Sequence, residues 1–239
     1  TIASKFRPEL TVNLMSHNMI SFTGLPRDHQ KEIDAVLGSD ATLKSEEKWL
    51  GRTYRTRVEG SPWWSQSSST DRNAVVDLLC RLLSALLRLE WMPCPIGLSP
   101  SGLMFTNTID TVPRTKKRVM CSAAVWIKNS DEVNLTNFPS TVNDLLISTA
   151  TRHFGIVKSE RPSVNHYRIR SRLVVTSTIR MHALLTVFLN ELSLIGWRAL
   201  TSLQLFEDTV NVIFVLPDEA IVRERSEEEK QRQCKNNKK

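Results

Sequence analysis

Glycine is scarce in this chain, cysteine is scarcer, and no apolar run is long enough to cross a bilayer. The eight glycines of 239 residues include Gly51, Gly60, Gly97 and Gly102, each isolated. Loops that cradle phosphate need clustered glycines, so the P-loop and the dinucleotide-binding fingerprint are excluded. No G-x-S-x-G nucleophile elbow and no H-E-x-x-H zinc helix occur. A membrane-spanning helix takes about eighteen apolar residues in a row, which the sequence lacks, so no membrane insertion is expected. The first twenty residues have no basic stretch leading into an apolar core, so no signal peptide is expected.

The four cysteines, Cys80, Cys94, Cys121 and Cys234, form no C-x-x-C pair and have no histidine at metal-ligand spacing. Cys80 sits in a leucine-rich stretch and reads as a small buried hydrophobe in a reducing compartment. The five histidines (His17, His29, His153, His166 and His182) are scattered. The acidic pairs Glu46-Glu47 and Glu207-Asp208 read as solvated charge rather than as acid and base. The expectation is therefore a chain with no metal, no cofactor and no catalytic group, working inside the cell in cytoplasm or nucleus. Asn134-Leu135-Thr136 is formally a glycosylation sequon, but in such a chain it carries no weight.

Hydrophobic residues at 41% and charged residues at 24% are ordinary for a folded protein. The net charge of +7 permits an acidic partner without requiring one. Basic residues gather at Arg52, Arg55 and Arg57, at Arg114, Lys116, Lys117 and Arg118, and at Arg161, Arg168, Arg170 and Arg172. The last residues, from 224, are a run of mixed charge.

The patterning predicts an α+β fold. Residues 1–47 read as an arm, with candidate strands at 10–15 and 18–22 and a helix between Pro26 and Gly38 that the glycine can end. Arg52–Val58 alternates as a strand. After the polar stretch 65–70, Thr70 or Asp71 can cap a helix carrying Val75, Val76, Leu79, Leu82, Leu83, Leu86, Leu87 and Leu89. Its wide apolar stripe suits a helix laid on a sheet. Pro93 and Pro95 stop that helix after Trp91. A hairpin is expected at 96–105, then a strand at 119–127 whose Ala, Val and Trp126 point to burial on both faces. The second half reads as a helix at 141–154, a strand at 166–175, a helix at 176–195, and a hairpin of 198–205 with 209–216. Residues 218–239 form a charged tail, partly disordered.

Two stretches resemble each other. In each, an arginine-bearing strand precedes a long apolar helix, a tryptophan follows it (Trp91, Trp197), and a hairpin comes next. Superposing the tryptophans aligns Leu79 with Leu185, Leu82 with Phe188 and Leu86 with Leu192. The expectation is two copies of a β-α-β-β unit, the first at 48–130 with an extra strand, the second an α-β-α-β-β unit at 131–217. A tryptophan directly after each helix would plug the end of a core.

Two surfaces are candidates for function. Pro62-Trp63-Trp64 places two large rings side by side, and neighbours on a regular strand point to opposite faces. One ring is therefore available to a partner, unless an irregular loop tucks both inward. The leading expectation is a non-enzymatic protein–protein interaction module, a scaffold or adaptor in a larger complex. It would bind through Pro62, Trp63 and Trp64, through an open sheet edge, or both. The alternative is RNA or other nucleic acid on the basic strand faces, Arg55 and Arg57 with Arg168, Arg170 and Arg172, helped by the loop Arg114, Lys116, Lys117 and Arg118. Against it, arginine stems also cover sheet in proteins that bind no nucleic acid, and Tyr54 and Tyr167 fall on the opposite faces of those strands.

Overall fold

A computed structural model describes residues 9–15, 18–38, 48–50, 52–58, 69–94, 102–107, 122–128, 132–154, 157–171, 178–205 and 212–217. The fold is α+β, with helices packed on two antiparallel six-stranded sheets. The first sheet is built from β1 (Glu9–Met15), β2 (Met19–Thr23), β3 (Lys48–Leu50), β4 (Thr53–Arg57), β5 (Trp91–Pro93) and β6 (Gly102–Asn107). Its helices are α1 (Gln30–Leu37), entered by a 3-10 turn over Arg27–His29, and α2 (Ser69–Arg88). The second sheet comprises β7 (Ala123–Lys128), β8 (Glu132–Thr136), β9 (Val157–Ser163), β10 (His166–Ser171), β11 (Trp197–Leu203) and β12 (Val212–Pro217), with α3 (Ser140–Phe154) and α4 (Thr178–Leu194).

Several sequence expectations are corrected here. β1 and β2, assigned to an arm, lie in the middle of the first sheet, because Leu10, Val12, Ile20 and Phe22 present one continuous apolar face. The hairpin expected at 96–105 starts earlier. β5 opens on Trp91 itself and pairs with β6, Trp91 opposite Asn107 and Pro93 opposite Phe105. β3, β8 and β9 have no counterpart in the sequence reading; β9 carries the polar run Lys158–Ser163, which masks strand periodicity, whereas β8 alternates as Glu-Val-Asn-Leu-Thr over only five residues. The tail at 218–239 lies outside the described residues.

The first sheet runs β3-β4-β2-β1-β6-β5. Read from the matching edge, the second runs β9-β10-β8-β7-β12-β11, the same order counted from β7. The order that recurs is ββαββαββ, longer than the four-element β-α-β-β unit expected, and the strands divide between β6 and β7 rather than near residue 130. The registers agree as well. Tyr54 stands opposite Phe22, which stands opposite Val12. Tyr167 stands opposite Leu135, which stands opposite Val125.

The backbone gives the same correspondence. Among the described residues φ is positive at Gly24 (90°), Glu90 (65°), Asn137 (63°) and Gly196 (85°). Gly24 and Asn137 each follow the second strand of their sheet and lead through Leu25-Pro26 or Phe138-Pro139 into a helix. Glu90 and Gly196 each precede the tryptophan that opens β5 or β11. The Gly24 amide donates to the Arg52 carbonyl at 3.0 Å, and the Asn137 amide to the Asn165 carbonyl at 2.7 Å, the residue before β4 and β10 respectively.

The layers stack as sheet, helices, sheet, helices. One core joins α1 and α2 to the inner face of the first sheet through Tyr54, Phe22 and Phe105, and continues across α2 to Ala124, Trp126, Val212 and Phe214 of the second sheet. The other core lies between the opposite face of that sheet and α3 and α4, around Val125, Leu135, Ile169 and Phe188. α2 is thus covered on two sides, and from Val75 to Leu87 its residues are buried apart from Asp77 and Arg81. A polar seam fixes it: Ser84 Oγ and Ser122 Oγ both donate to the Cys80 carbonyl, at 2.7 and 2.6 Å, and the Ser122 amide donates to Ser84 Oγ at 2.9 Å. Both post-helix tryptophans are buried. Trp91 Nε1 donates to His29 Nδ1 at 3.1 Å, and Trp197 packs against Phe138 with ring centres 5.2 Å apart.

The turn at Gly24 makes a direct prediction. A Cβ there would lie 2.3 Å from the Glu9 carbonyl oxygen, in a backbone region that L-residues rarely adopt. Gly24→Ala should cost at least about 2 kcal/mol in urea unfolding; an unchanged midpoint would contradict the close approach of β1 to this turn.

Candidate functional site

The two arginine strands occupy equivalent places and meet different surroundings. Ile169 points into the core with α3 and α4, so Arg168 and Arg170 point the other way, toward α2. Tyr54 and Thr56 point inward, so Arg55 and Arg57 lie on the outer face of the first sheet. β4 reads Tyr-Arg-Thr-Arg and β10 reads Tyr-Arg-Ile-Arg in the same register.

On the second sheet the pair is neutralised. Arg170 is registered opposite Glu132, a buried carboxylate. Arg170 Nε lies 3.0 Å from one Glu132 oxygen and Arg168 Nε 3.3 Å from the other. Glu160 stands across β9, 3.8 Å from Arg168, and its carboxyl is held below the usual range mainly by its hydrogen bond to Lys158. A buried carboxylate serving two guanidiniums is stable only as a complete set, since removing one member leaves an uncompensated charge.

The set extends into α2. Asn134 Nδ2 donates to Glu132 at 3.2 Å, which leaves its Oδ1 to accept from His166 Nε2 at 2.9 Å. His166 Nδ1 then accepts from Asn73 Nδ2 of α2 at 3.0 Å. The chain of donors fixes the ring as the neutral Nε2–H tautomer. Burial first, and then the Arg168 charge, push the His166 pKa down to about 4, against an opposing pull from Glu132. Beside this network a cleft of about 400 Å³ opens between the first turns of α2 and the β9–β10 hairpin, lined by Asn73, Asp77, Thr136, Val164, His166 and Arg168.

On the first sheet the equivalent face is different. Met19 is registered opposite Arg57, where Glu132 faces Arg170. Ser21 is opposite Arg55, where Asn134 faces Arg168. Asn13 takes the place of Trp126, opposite Ser21 as Trp126 is opposite Asn134. Alternation puts Met15, Met19, Met92 and Met104 on this face with Thr11, Thr23, Thr53 and Thr106. None of these side chains belongs to either core, and Thr23, Arg57 and Met15 are exposed.

Pro62, Trp63 and Trp64 lie outside the described residues, as do Arg114, Lys116, Lys117, Arg118 and Arg172. The structure brings Arg55 to Arg57 and Arg168 to Arg170, but on different layers, so the four do not form one basic surface. Glu132, Asn134, Asn73 and the four methionines escaped the sequence reading; a lone glutamate opening an otherwise buried strand was the signal for the first. Asn134 is wholly buried, so the sequon is closed to glycosylation in the folded chain. Burial pushes the Cys80 thiol far up, with Asp77 adding to it, so it stays protonated and unreactive. Among the described residues no cluster of three or more His, Cys, Asp or Glu could hold a metal, and no helix is long and apolar enough to cross a membrane.

The model of one uncharacterised domain family matches residues 9–95, from β1 to just past β5. No curated protein and no solved structure matches the chain.

His166 makes the site sensitive to acid. Its folded pKa lies below the unfolded value of 6.5, so between the two the unfolded chain binds the extra proton. The contribution is complete above the unfolded value and is lost as pH falls toward about 4, reaching about 3 kcal/mol at the foot of that window. Urea midpoints measured across that window should fall less steeply for His166→Asn than for the parent; parallel curves would remove His166 from the acid response.

Proposed function

We propose that this chain is a non-enzymatic interaction module made of two copies of one ββαββαββ unit, stacked so that one sheet is buried and the other keeps a face for a partner. The shared strand order, registers and positive-φ positions support duplication, because independent units have no reason to agree in all three. The observation that carries the functional reading is the contrast between equivalent faces. In the second sheet the face is covered by α2; in the first, the methionine and threonine side chains of the equivalent face belong to neither core, and Met15 and Thr23 are exposed. Partly exposed apolar groups rimmed by polar ones suit recognition.

Pro62, Trp63 and Trp64 belong to this proposal as a second contact, on the strength of their sequence. The open edge β11 is a third. Its counterpart β5 ends at Pro93, whereas β11 runs seven residues without proline, although a bulge between Ala199 and Thr201 limits pairing with another strand. The buried neutral thiol and the charge balance fit an intracellular adaptor of cytoplasm or nucleus. The test is capture of partners from the native source with nuclease present, comparing the parent with a Trp63→Ala, Trp64→Ala double variant. A nuclease-resistant partner lost in the variant, at unchanged Tm, supports the module. A collapse of Tm would assign both rings to the core.

A second reading is nucleic-acid binding on the first sheet, favoured by Arg55 and Arg57 sharing its outer face. Polarisation titration with labelled single-stranded RNA distinguishes it. Affinity that falls steeply between about 50 and 200 mM salt would support this reading, and absence of binding at the lower salt would dismiss it.

A further inference from the structure

We infer that the cleft between α2 and the β9–β10 hairpin binds a small uncharged ring carrying a hydrogen-bond acceptor beside a donor, the chemistry of a pyrimidine base. The inference goes beyond the interaction-module reading and uses no residue of the first sheet. Both halves of the chain build the cleft. Asn73, Ala74 and Asp77 come from the first turns of α2, and Pro162, Val164 and His166 from the hairpin. Its volume of about 400 Å³ is enough for a ligand the size of a nucleoside. Junctions between units are where such clefts take ligands.

Most polar groups around the cleft are already engaged. Both nitrogens of His166 are hydrogen-bonded, to Asn134 and to Asn73, and Thr136 Oγ1 accepts from Trp126 Nε1 at 3.4 Å. Two lining residues keep capacity. Asn73 Oδ1 is buried and accepts nothing, because the amide spends its nitrogen on His166. Arg168 Nε lies 3.3 Å from Glu132 yet donates no hydrogen bond. A buried acceptor and a buried donor left unspent are both costly. Both side chains are part-exposed, so a small rotation presents either group to a ligand. One belongs to α2 and the other to β10, so a ring edge with donor and acceptor side by side addresses both walls at once. In uridine, N3–H would face Asn73 Oδ1 and the adjoining carbonyl would face Arg168.

Charge in the cleft is balanced. Asp77 is paired with Arg81 at 3.1 Å, and Arg168 lies between Glu132 and Glu160. An anion would meet the Asp77 carboxylate, and a cation would meet the Arg168 guanidinium. His166 behaves accordingly, since burial and then the Arg168 charge hold its ring neutral. Small apolar groups come from both walls, Ala74 on one side and Pro162 and Val164 on the other. Val164 is 78% exposed, the most open large apolar side chain among the described residues, and a flat ring between the walls would cover it.

The experiment follows the backbone amide signals of the full chain during titration with four probes. They are uridine, 3-methyluridine with its donor blocked, orotidine with a carboxylate added to the ring, and a uridine hexanucleotide. Uridine should move the amides of Asn73, Ala74, Asp77 and Val164 and leave those of Met15 and Met19 on the first sheet in place. 3-Methyluridine should bind about tenfold more weakly, the loss of one hydrogen bond to a buried acceptor. Orotidine should bind more weakly than uridine, and the hexanucleotide no more tightly. Ala74→Phe, which fills the cleft from an exposed helix position, should abolish binding at unchanged Tm, and Ala183→Phe on α4 should retain it. The proposal is overturned if uridine at about 10 mM moves none of the four amides. It is equally overturned if 3-methyluridine binds as well as uridine, if orotidine binds more tightly, or if Ala74→Phe keeps the affinity. Tighter binding of the hexanucleotide would replace the free ring by a base in a strand. None of these outcomes touches the module reading, whose test is capture of a protein partner.

Discussion

The structure depends on one helix having two apolar sides. A surface helix buries a stripe and leaves the rest to water. α2 cannot do so, because Val76, Leu79, Leu83 and Leu86 together with Val75, Leu78, Leu82 and Ala85 leave only a narrow polar strip at Asp77 and Arg81. Two sheets are needed to cover it, and the chain supplies both. The first sheet covers α2 from one side; Ala124, Trp126 and Phe214 of the second cover it from the other. Everything else about the junction follows. Asn73 and Asp77 at the start of the helix meet the polar half of the second sheet, while Cys80 and Ser84 further along meet Ser122 at the start of β7.

That position accounts for the unequal chemistry of two otherwise equivalent strands. A buried carboxylate such as Glu132 must be neutralised, since an isolated charge in a dry interior is costly, and Arg168 and Arg170 do so. Glu132, Asn134 and His166 form the required set, and the histidine is neutral because burial and a neighbouring cation leave no room for another positive charge. On the first sheet the equivalent arginines, Arg55 and Arg57, lie on the outer face, and Met19 and Ser21 stand opposite them in place of Glu132 and Asn134.

Much of the architecture was legible in the sequence. The long helices, the basic strands, the tryptophans that follow the helices and the two-sided burial of the strand around Trp126 follow from periodicity and side-chain size. What could not be read is instructive. β1 and β2 looked like an arm because a single hairpin has no core of its own, and only the sheet gives Leu10 and Phe22 a place. β9 was hidden because Lys158 and Glu160 are polar in sequence but partnered in space, and β8 because its alternation spans only five residues. The recurring order was sensed from its second half, where the helices are long. Its first half rests on Thr23 and Pro26 matching Thr136 and Pro139 around a positive-φ residue, a signal of a few positions. The candidate face was least legible of all, since which arginines lie under a helix is decided by stacking, not by their own neighbours.

The recurrence of one strand order also has a bearing on growth. Units that stack sheet on helix in one direction have a front and a back that fit each other, and nothing in the geometry of such a pair stops a third unit from adding. In this chain the front is the outer face of the first sheet and the back is the surface of α3 and α4. The back shows Asp144, Ser148, Ala183, Thr186 and Asn190 to the outside, and the front replaces the tryptophan of the buried sheet by Asn13. Both outer surfaces are thus set apart from the buried layers by a few polar side chains.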